Sequence, residues 1–216
     1  MILVKPAFTI EDKIDGSEIL RRIERAGRTC YKSEDKITEE SAAKFVSSVI
    51  KRGHESVIEH EKVTVRVVCD RGVTHEIVRH RLASYSQEST RYCNDKGGVT
   101  FVIPPWVKVE PGEYKAKRVL DCANNDAERA WLHSMLDSEV CYIELLARGW
   151  SPQQARSVLP NSTKTELVMT MNLREWRHFF KLRTSSAAHP QMQEIARPIL
   201  EAFKAMIPVV FEDLNG

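Results

Sequence analysis

The chain has almost no net charge. Its 32 Lys and Arg stand against 30 Asp and Glu, a formal +2, so it lacks the overall electrostatic footprint of a DNA- or RNA-binding protein. Any anion it holds must be held locally. Cysteine is scarce: Cys30, Cys69, Cys93, Cys122 and Cys141 are the five in 216 residues. None forms a C-x-x-C pair, their spacing is irregular and their number is odd, which argues against a zinc knuckle and a disulfide framework. No apolar run approaches the ~18 residues of a membrane span. The opening MILVKPAFTI is interrupted by Lys5 and Pro6 before it could act as a signal-peptide core. G-x-G-x-x-G, G-x-S-x-G and P-loop patterns are also absent, which removes a Rossmann dinucleotide site and the common nucleophile elbow. Internal repeats and Pro/Gly/Ser-rich linkers are missing too. The expectation is a reduced, cytoplasmic, soluble chain forming a single domain over residues 1–216, with no membrane or nucleic-acid partner and no metal.

What is present is ordinary globular material, 42% hydrophobic and 29% charged. Residues 2–10 read as a strand, and a helix from Ser17 buries Ile19, Leu20, Ile23 and Ala26 before Gly27 stops it. A second helix is expected from Thr38 as N-cap to Arg52, ended by Gly53. The segment EKVTVRVVCD alternates as a half-buried strand. Helix is expected over about 73–83, strand over 99–103, and a long helix over about 118–148 with Leu132, Leu136, Val140 and Ile143 on its buried stripe. Ser151, Pro152 and Gln154 make a helix start with a capping box. A strand over 163–171 leads to Asn172, which caps LREWRHFFKLR, and a last helix covers about 191–206. Strands interleaved with helices indicate an α+β fold.

Three stretches carry polar chemistry. GHESVIEH, Gly53 to His60, holds two histidines six positions apart, whereas H-E-x-x-H needs them four apart on one helical face, so a metal is not favoured over a polar loop or an organic-ligand site. RHRLASYSQESTR, Arg79 to Arg91, opens with consecutive cations that point different ways around a helix and cannot make one paired row. Its hydroxyl, amide and guanidinium groups are the donors that a phosphate or a uracil edge requires, although a solvated charged turn would also account for them. NLREWRHFFKLR puts Leu173, Trp176, Phe179 and Phe180 on one face and Arg174, His178 and Lys181 on the other, a pattern that a solvated basic face also produces. A nucleic-acid module built on Arg79, Arg81, Arg174 and Arg177, or a flavin-free phosphate-binding enzyme, would use the same residues.

The spacing R-H-R, seven residues, then Ser, at Arg79-His80-Arg81 and Ser89, resembles the signature of flavin-dependent thymidylate synthases. GHES with EH upstream, ARSVLP at 155–160, MNLREW at 171–176 and KLR at 181–183 resemble the same family in the same order. The resemblance implies conversion of dUMP to dTMP, with methylene from 5,10-methylenetetrahydrofolate and hydride from FAD that NADPH has reduced. It implies a single α+β domain with a small, mostly antiparallel sheet and several long helices. Such chains assemble as a homotetramer whose active sites are shared between subunits.

Carried over position by position, His54, Ser56, Arg79, His80, Arg81 and Gln87 match flavin-holding positions, with Asn172, Arg174, His178 and His189 later in the chain. Glu76, Arg79, Gln87, Glu88, Ser89, Thr90, Arg91, Arg156 and Arg183 match dUMP-binding positions. Arg183 matches the arginine at the uracil edge, where a permanently charged guanidinium stabilises an ionised pyrimidine. Ser89 matches the motif serine, which orients dUMP, since an alkoxide without an adjacent base is poorly available. The chain departs from the family pattern at Glu76, where glutamine is common, and at Ser86, where asparagine is common.

Overall fold

Pro6 divides the strand expected over residues 2–10 in two, because proline has no N–H to give to a ladder. The computed structural model describes residues 1–92 and 97–215, those at 116 and 117 by their backbone alone. Its strands are β1 (Ile2–Val4), β2 (Ala7–Ile10), β3 (Lys62–Asp70), β4 (Ala83–Gln87), β5 (Thr100–Val102), β6 (Gly112–Glu113) and β7 (Lys164–Asn172). Its α-helices are α1 (Gly16–Thr29), α2 (Ser41–Lys51), α3 (Arg71–Ile77), α4 (Asp126–Ala147), α5 (Pro152–Ala155), α6 (Leu173–Arg183), α7 (Pro190–Met206) and α8 (Pro208–Phe211). The expected mixture of helix and strand is present, but as two small sheets of order β5-β1-β6 and β2-β3-β7-β4 rather than one. In the first, β1 runs parallel to β5 (Leu3 opposite Phe101) and antiparallel to β6 (Leu3 opposite Gly112), so that sheet is not mostly antiparallel.

The chain divides into two compact units: residues 1–7, 67–78 and 86–167 form the first, and 8–66, 79–85 and 168–216 the second. The first unit packs Leu3, Phe101, Ile103, Leu132, Met135 and Tyr142 into one core. Helix α4 therefore turns a different stripe inward from the expected one, and Val140 is 56% exposed. Glu139 is buried on the same inward face as Leu132, Met135 and Tyr142, and accepts both the N-terminal ammonium of Met1 at 3.0 Å and the Val99 N–H at 2.8 Å. The helix also begins later than position 118, where Asn125 accepts the Glu128 N–H at 2.9 Å. Before it, residues 116–122 are 3-10.

The second unit is built around Trp176, whose ring stacks on Phe180 and tilts against Phe203, with Phe211 closing the cluster. The Trp176 indole N–H donates to the Val63 carbonyl at 3.0 Å, so this large side chain leaves no orphan donor in the core. Gly27 does not stop α1, which runs on to Thr29. A Cβ at Gly27 would lie 2.7 Å from the Phe45 ring, so glycine serves the close approach of α1 to α2. Helix α2 starts at Ser41 behind Glu40, not behind Thr38, whose backbone N–H instead donates to Ser41 Oγ at 2.9 Å. Gly53 follows α2 with φ +75, a left-handed turn that favours glycine. The helix expected over 73–83 is shifted and shortened to α3. Asp70 accepts the Val73 N–H at 2.8 Å and starts it early, and Arg79 to Leu82 form the turn into β4.

Candidate active site

In the first unit a cavity of about 450 Å³ is lined by Arg71, Thr90, Gln153, Arg156 and Asn161 among others. Two local features shape it. Asp70 caps α3, and the Arg71 N–H donates to the Asn161 carbonyl at 2.9 Å, which ties the start of α3 to the loop before β7. Ser151 and Gln154 close the expected capping box at the start of α5, and Arg156 follows directly. Arg156 Nη1 donates to Thr90 Oγ1 at 3.1 Å, joining two of the expected dUMP positions. Arg71 Nη1 is buried and has no hydrogen-bond partner among the described residues. A buried guanidinium donor left without a partner is costly, and an anionic oxygen is the partner that suits it.

The neighbouring acid is only partly offset, because one lysine serves two carboxylates. Glu88 receives Lys164 Nζ at 3.2 Å, and the same ammonium reaches Glu166 at 2.7 Å. Partial burial works against the Lys164 charge, but Glu166 and Glu88 outweigh it and raise the lysine pKa above its ordinary value. Gln87 Nε2 is engaged with Thr74 at 3.1 Å and Thr165 at 3.3 Å. Ser89 Oγ accepts the Arg91 N–H at 3.3 Å, and among the described residues no carboxylate or imidazole hydrogen-bonds to it. That arrangement suits an orienting hydroxyl and not a nucleophile.

In the second unit His54, Ser56 and Arg174 share a cavity of about 820 Å³ with Arg28, Phe45 and Arg52. Asn172, Arg174 and His178 also line a second cavity of about 460 Å³ with Glu175 and Lys181. Asn172 caps α6 as expected, accepting the Glu175 N–H at 2.8 Å. That cap sets the phase of α6: Trp176 and Phe179 face the core while Arg174 and His178 are exposed. Arg174 is paired with Glu59 at 2.5 Å.

The middle residue of R-H-R lies in a buried cluster. His80 is 4% exposed and Glu175 6% exposed. His80 Nδ1 lies 3.1 Å from Glu175 Oε1, and Arg183 Nε donates to His80 Nε2 at 3.1 Å. Burial first, and then the Arg183 charge, lowers the His80 pKa, and Glu175 only partly opposes them. Tyr85 donates its hydroxyl to the His80 carbonyl at 2.7 Å, and burial pushes that phenol up to about 12.

Glu76, Arg79, His80, Arg81, Gln87, Glu88, Ser89, Arg91, Arg183 and His189 do not line these cavities. His189 instead stands at the start of α7, its Nδ1 accepting the Gln191 N–H at 3.4 Å. Among the described residues, His80, Glu175 and His178 are the one group whose possible metal-ligand atoms lie within 4.8 Å of one another. Both histidine Nδ1 atoms meet the same Glu175 oxygen, and His80 Nε2 is taken by Arg183, so these atoms are spent on one another. Cys30, Cys69, Cys122 and Cys141 are free thiols, and Cys93 lies outside the described residues. Sequence reasoning missed Arg71 and Glu175. The only local signal for Arg71 was its place just after the Asp70 cap, and Glu175 looked like any acid in a first helical turn.

Cavities that combine guanidinium groups with half-buried walls have the chemistry of sites for anionic small molecules. The chain belongs to the family described as thymidylate synthase complementing protein, which it matches over residues 14–209. Similar proteins carry the name flavin-dependent thymidylate synthase. That of Mycobacterium marinum is 34% identical over 208 residues, covering 93% of this chain and 81% of the relative. That of Mycobacterium tuberculosis is 35% identical over 208 residues with the same coverage. A solved structure of the UMP/dUMP methylase PolB from Streptomyces cacaoi, bound with 5-Br dUMP, has the same fold: TM-score 0.78 at 24% identity, covering 98% of this chain and 96% of that one. The resemblance carried by R-H-R and Ser89 is thus to the family the chain belongs to. No helix among the described residues is long and apolar enough to cross a membrane.

Proposed function

We infer that the chain is a flavin-dependent thymidylate synthase that converts dUMP to dTMP. The observation that carries this reading is the family match over residues 14–209, which spans every expected site residue. Arg71 and Arg156 hold the 5′-phosphate in the first-unit cavity, where Thr90 aligns Arg156 and the bare Arg71 donor gains a partner. Ser89, Gln87, Glu88 and Arg91 orient the nucleotide, with the Glu88 charge partly offset by Lys164, which it shares with Glu166. The resemblance assigns Arg183 to the uracil edge. Uracil C5 is a weak nucleophile, and a guanidinium that stabilises charge on the ionised pyrimidine ring activates it. Glu76 can accept but not donate in its contact with dUMP.

The cavity of about 820 Å³ has the size, the cationic groups and the aromatic wall that a dinucleotide requires, so its residues fit FAD. His54, Ser56 and Arg174 would hold the cofactor from this cavity, and Asn172 and His178 from the adjoining one, with Arg79 and Arg81 from the motif turn, while the buried His80 ring between them is spent on Glu175 and Arg183. Bound flavin, reduced by NADPH, supplies the hydride that completes a methyl group from the methylene of 5,10-methylenetetrahydrofolate. The working form is one domain per chain in a cytoplasmic homotetramer with shared sites.

Purified protein should be yellow, bleach on addition of NADPH, and form dTMP from dUMP and the folate. Colourless protein that takes up no FAD would refute the reading. Arg183→Ala should abolish dTMP formation while flavin absorbance is retained, and wild-type turnover would remove the role given to Arg183.

A further inference from the structure

The buried His80 ring connects two groups that the family motif does not connect. An arginine Nε always carries its hydrogen, so at 3.1 Å it must donate, and His80 Nε2 must be the unprotonated nitrogen that accepts. The ring proton then sits on Nδ1 and is donated to Glu175 Oε1, also at 3.1 Å. Phe179 packs edge-on against the imidazole with ring centroids 5.0 Å apart, which blocks its rotation. Glu175 is in turn placed by the Asn172 cap, because its own N–H is the group that Asn172 accepts. Asn172 Oδ1, Glu175, His80 and Arg183 thus form one continuous chain of contacts within the second unit.

We propose that Glu175 is a positioning residue for Arg183, acting by holding His80 in the Nδ1–H form whose bare Nε2 anchors the Arg183 Nε–H. This rests on the reading of Arg183 as the group at the uracil edge. Anchoring Nε fixes the plane of the guanidinium, and small displacements of a group that stabilises charge are expensive in rate. The relay needs a neutral imidazole. A proton on Nε2 would set donor against donor and release Arg183. Burial and the adjacent guanidinium keep the ring neutral, whereas the Glu175 carboxylate favours its protonation. The charged and titratable groups facing His80 are Glu175, His178 and Arg183 on α6 and the Tyr85 phenol on β4. Arg79 and Arg81 flank it in the chain.

Glu175→Ala removes the acceptor that selects the tautomer, whereas in Glu175→Gln the amide oxygen can still take the Nδ1 proton. The alanine variant should lose about ten- to a hundredfold in kcat, and the glutamine variant should recover most of it. In Glu175→Gln the acid limb of the kcat profile should move to lower pH, because the carboxylate that raises the His80 pKa is gone. The 15N spectrum of the wild-type holoenzyme should show His80 with Nδ1 protonated and Nε2 bare. A His80 protonated at Nε2, or an acid limb and kcat unchanged in both variants, would overturn the relay. The glutamine variant is nearly isosteric, and the spectrum is taken on the wild-type protein, so misfolding of the alanine variant decides nothing. If Arg183→Ala turned over normally while the spectrum showed the Nδ1–H form, the role of Arg183 would fail and the hydrogen-bond chain would stand.

Discussion

Replacing Arg71 by methionine keeps most of the apolar stem of the side chain and removes its charged head. Among the described residues Arg71 Nη1 is buried without a partner. An unsatisfied buried donor costs about 1–3 kcal/mol, and a hydrogen bond to a charged group contributes about 1.5–3 kcal/mol. Losing the phosphate contact should therefore weaken dUMP binding about ten- to a hundredfold, at 1.4 kcal/mol per factor of ten. Deoxyuridine, which has no phosphate, should bind both proteins equally. Free Arg71→Met should be as stable as the wild type or more so, gaining about 2–4 °C in melting temperature per kcal/mol recovered. Calorimetric titration with dUMP and with deoxyuridine, beside a thermal melt of the free protein, measures all three quantities. The reasoning is refuted if the two ligands lose affinity equally, or if the free variant melts well below the wild type.

Two further outcomes concern the C-terminal end of the second unit. Arg177 is 2% exposed and donates to Asp213 at 2.6 and 2.7 Å, to Glu55 at 3.2 Å and to the Val210 carbonyl. Arg177→Ala leaves two carboxylates and a buried carbonyl without that partner. A loss of about 3 kcal/mol in urea unfolding is expected, the low end for a broken buried pair because Asp213 is half exposed. The Arg177 hydrogen bond also holds the Asp213 carboxyl below its ordinary value. Asp213 therefore contributes stability at pH above its unfolded value of about 3.9, and that share is lost as the pH falls through the lower folded value. Unfolding free energies of the wild type and Asp213→Asn should converge as the pH falls below about 4, and curves that stay parallel would contradict this.

The elements whose signals are local were legible from the sequence. Asn172 was expected to cap α6, and it does so because a cap needs only a side chain and an N–H three positions on. The same holds for the Ser151 box and for the alternation of Val63, Val65 and Val67 on β3. The stripe of Leu173, Trp176, Phe179 and Phe180 was likewise correct, each being fully buried. The misread elements depend on distant partners. The face α4 buries joins a core with Leu3 and Phe101, and its Glu139 meets the N-terminal ammonium 138 positions away in sequence, counting from 1 to 139. Gly27 reads as a helix stop, but it lies inside α1 because Phe45 of α2 crosses there.

The same division runs through the candidate site. RHRLASYSQESTR identified the family without a structure, because motif spacing is a property of the chain alone. From the residue types it was one cationic run. In the fold the division between the two units passes between Tyr85 and Ser86 within it. His80 is drawn inward to Glu175, 95 positions on, while Thr90 meets Arg156, 66 positions on. Donor types and their order along the chain are written in the sequence. Which donor is left bare, as at Arg71, and which is spent on a neighbour, as at His80, depends on burial and on contacts between distant segments, and only the tertiary structure decides those.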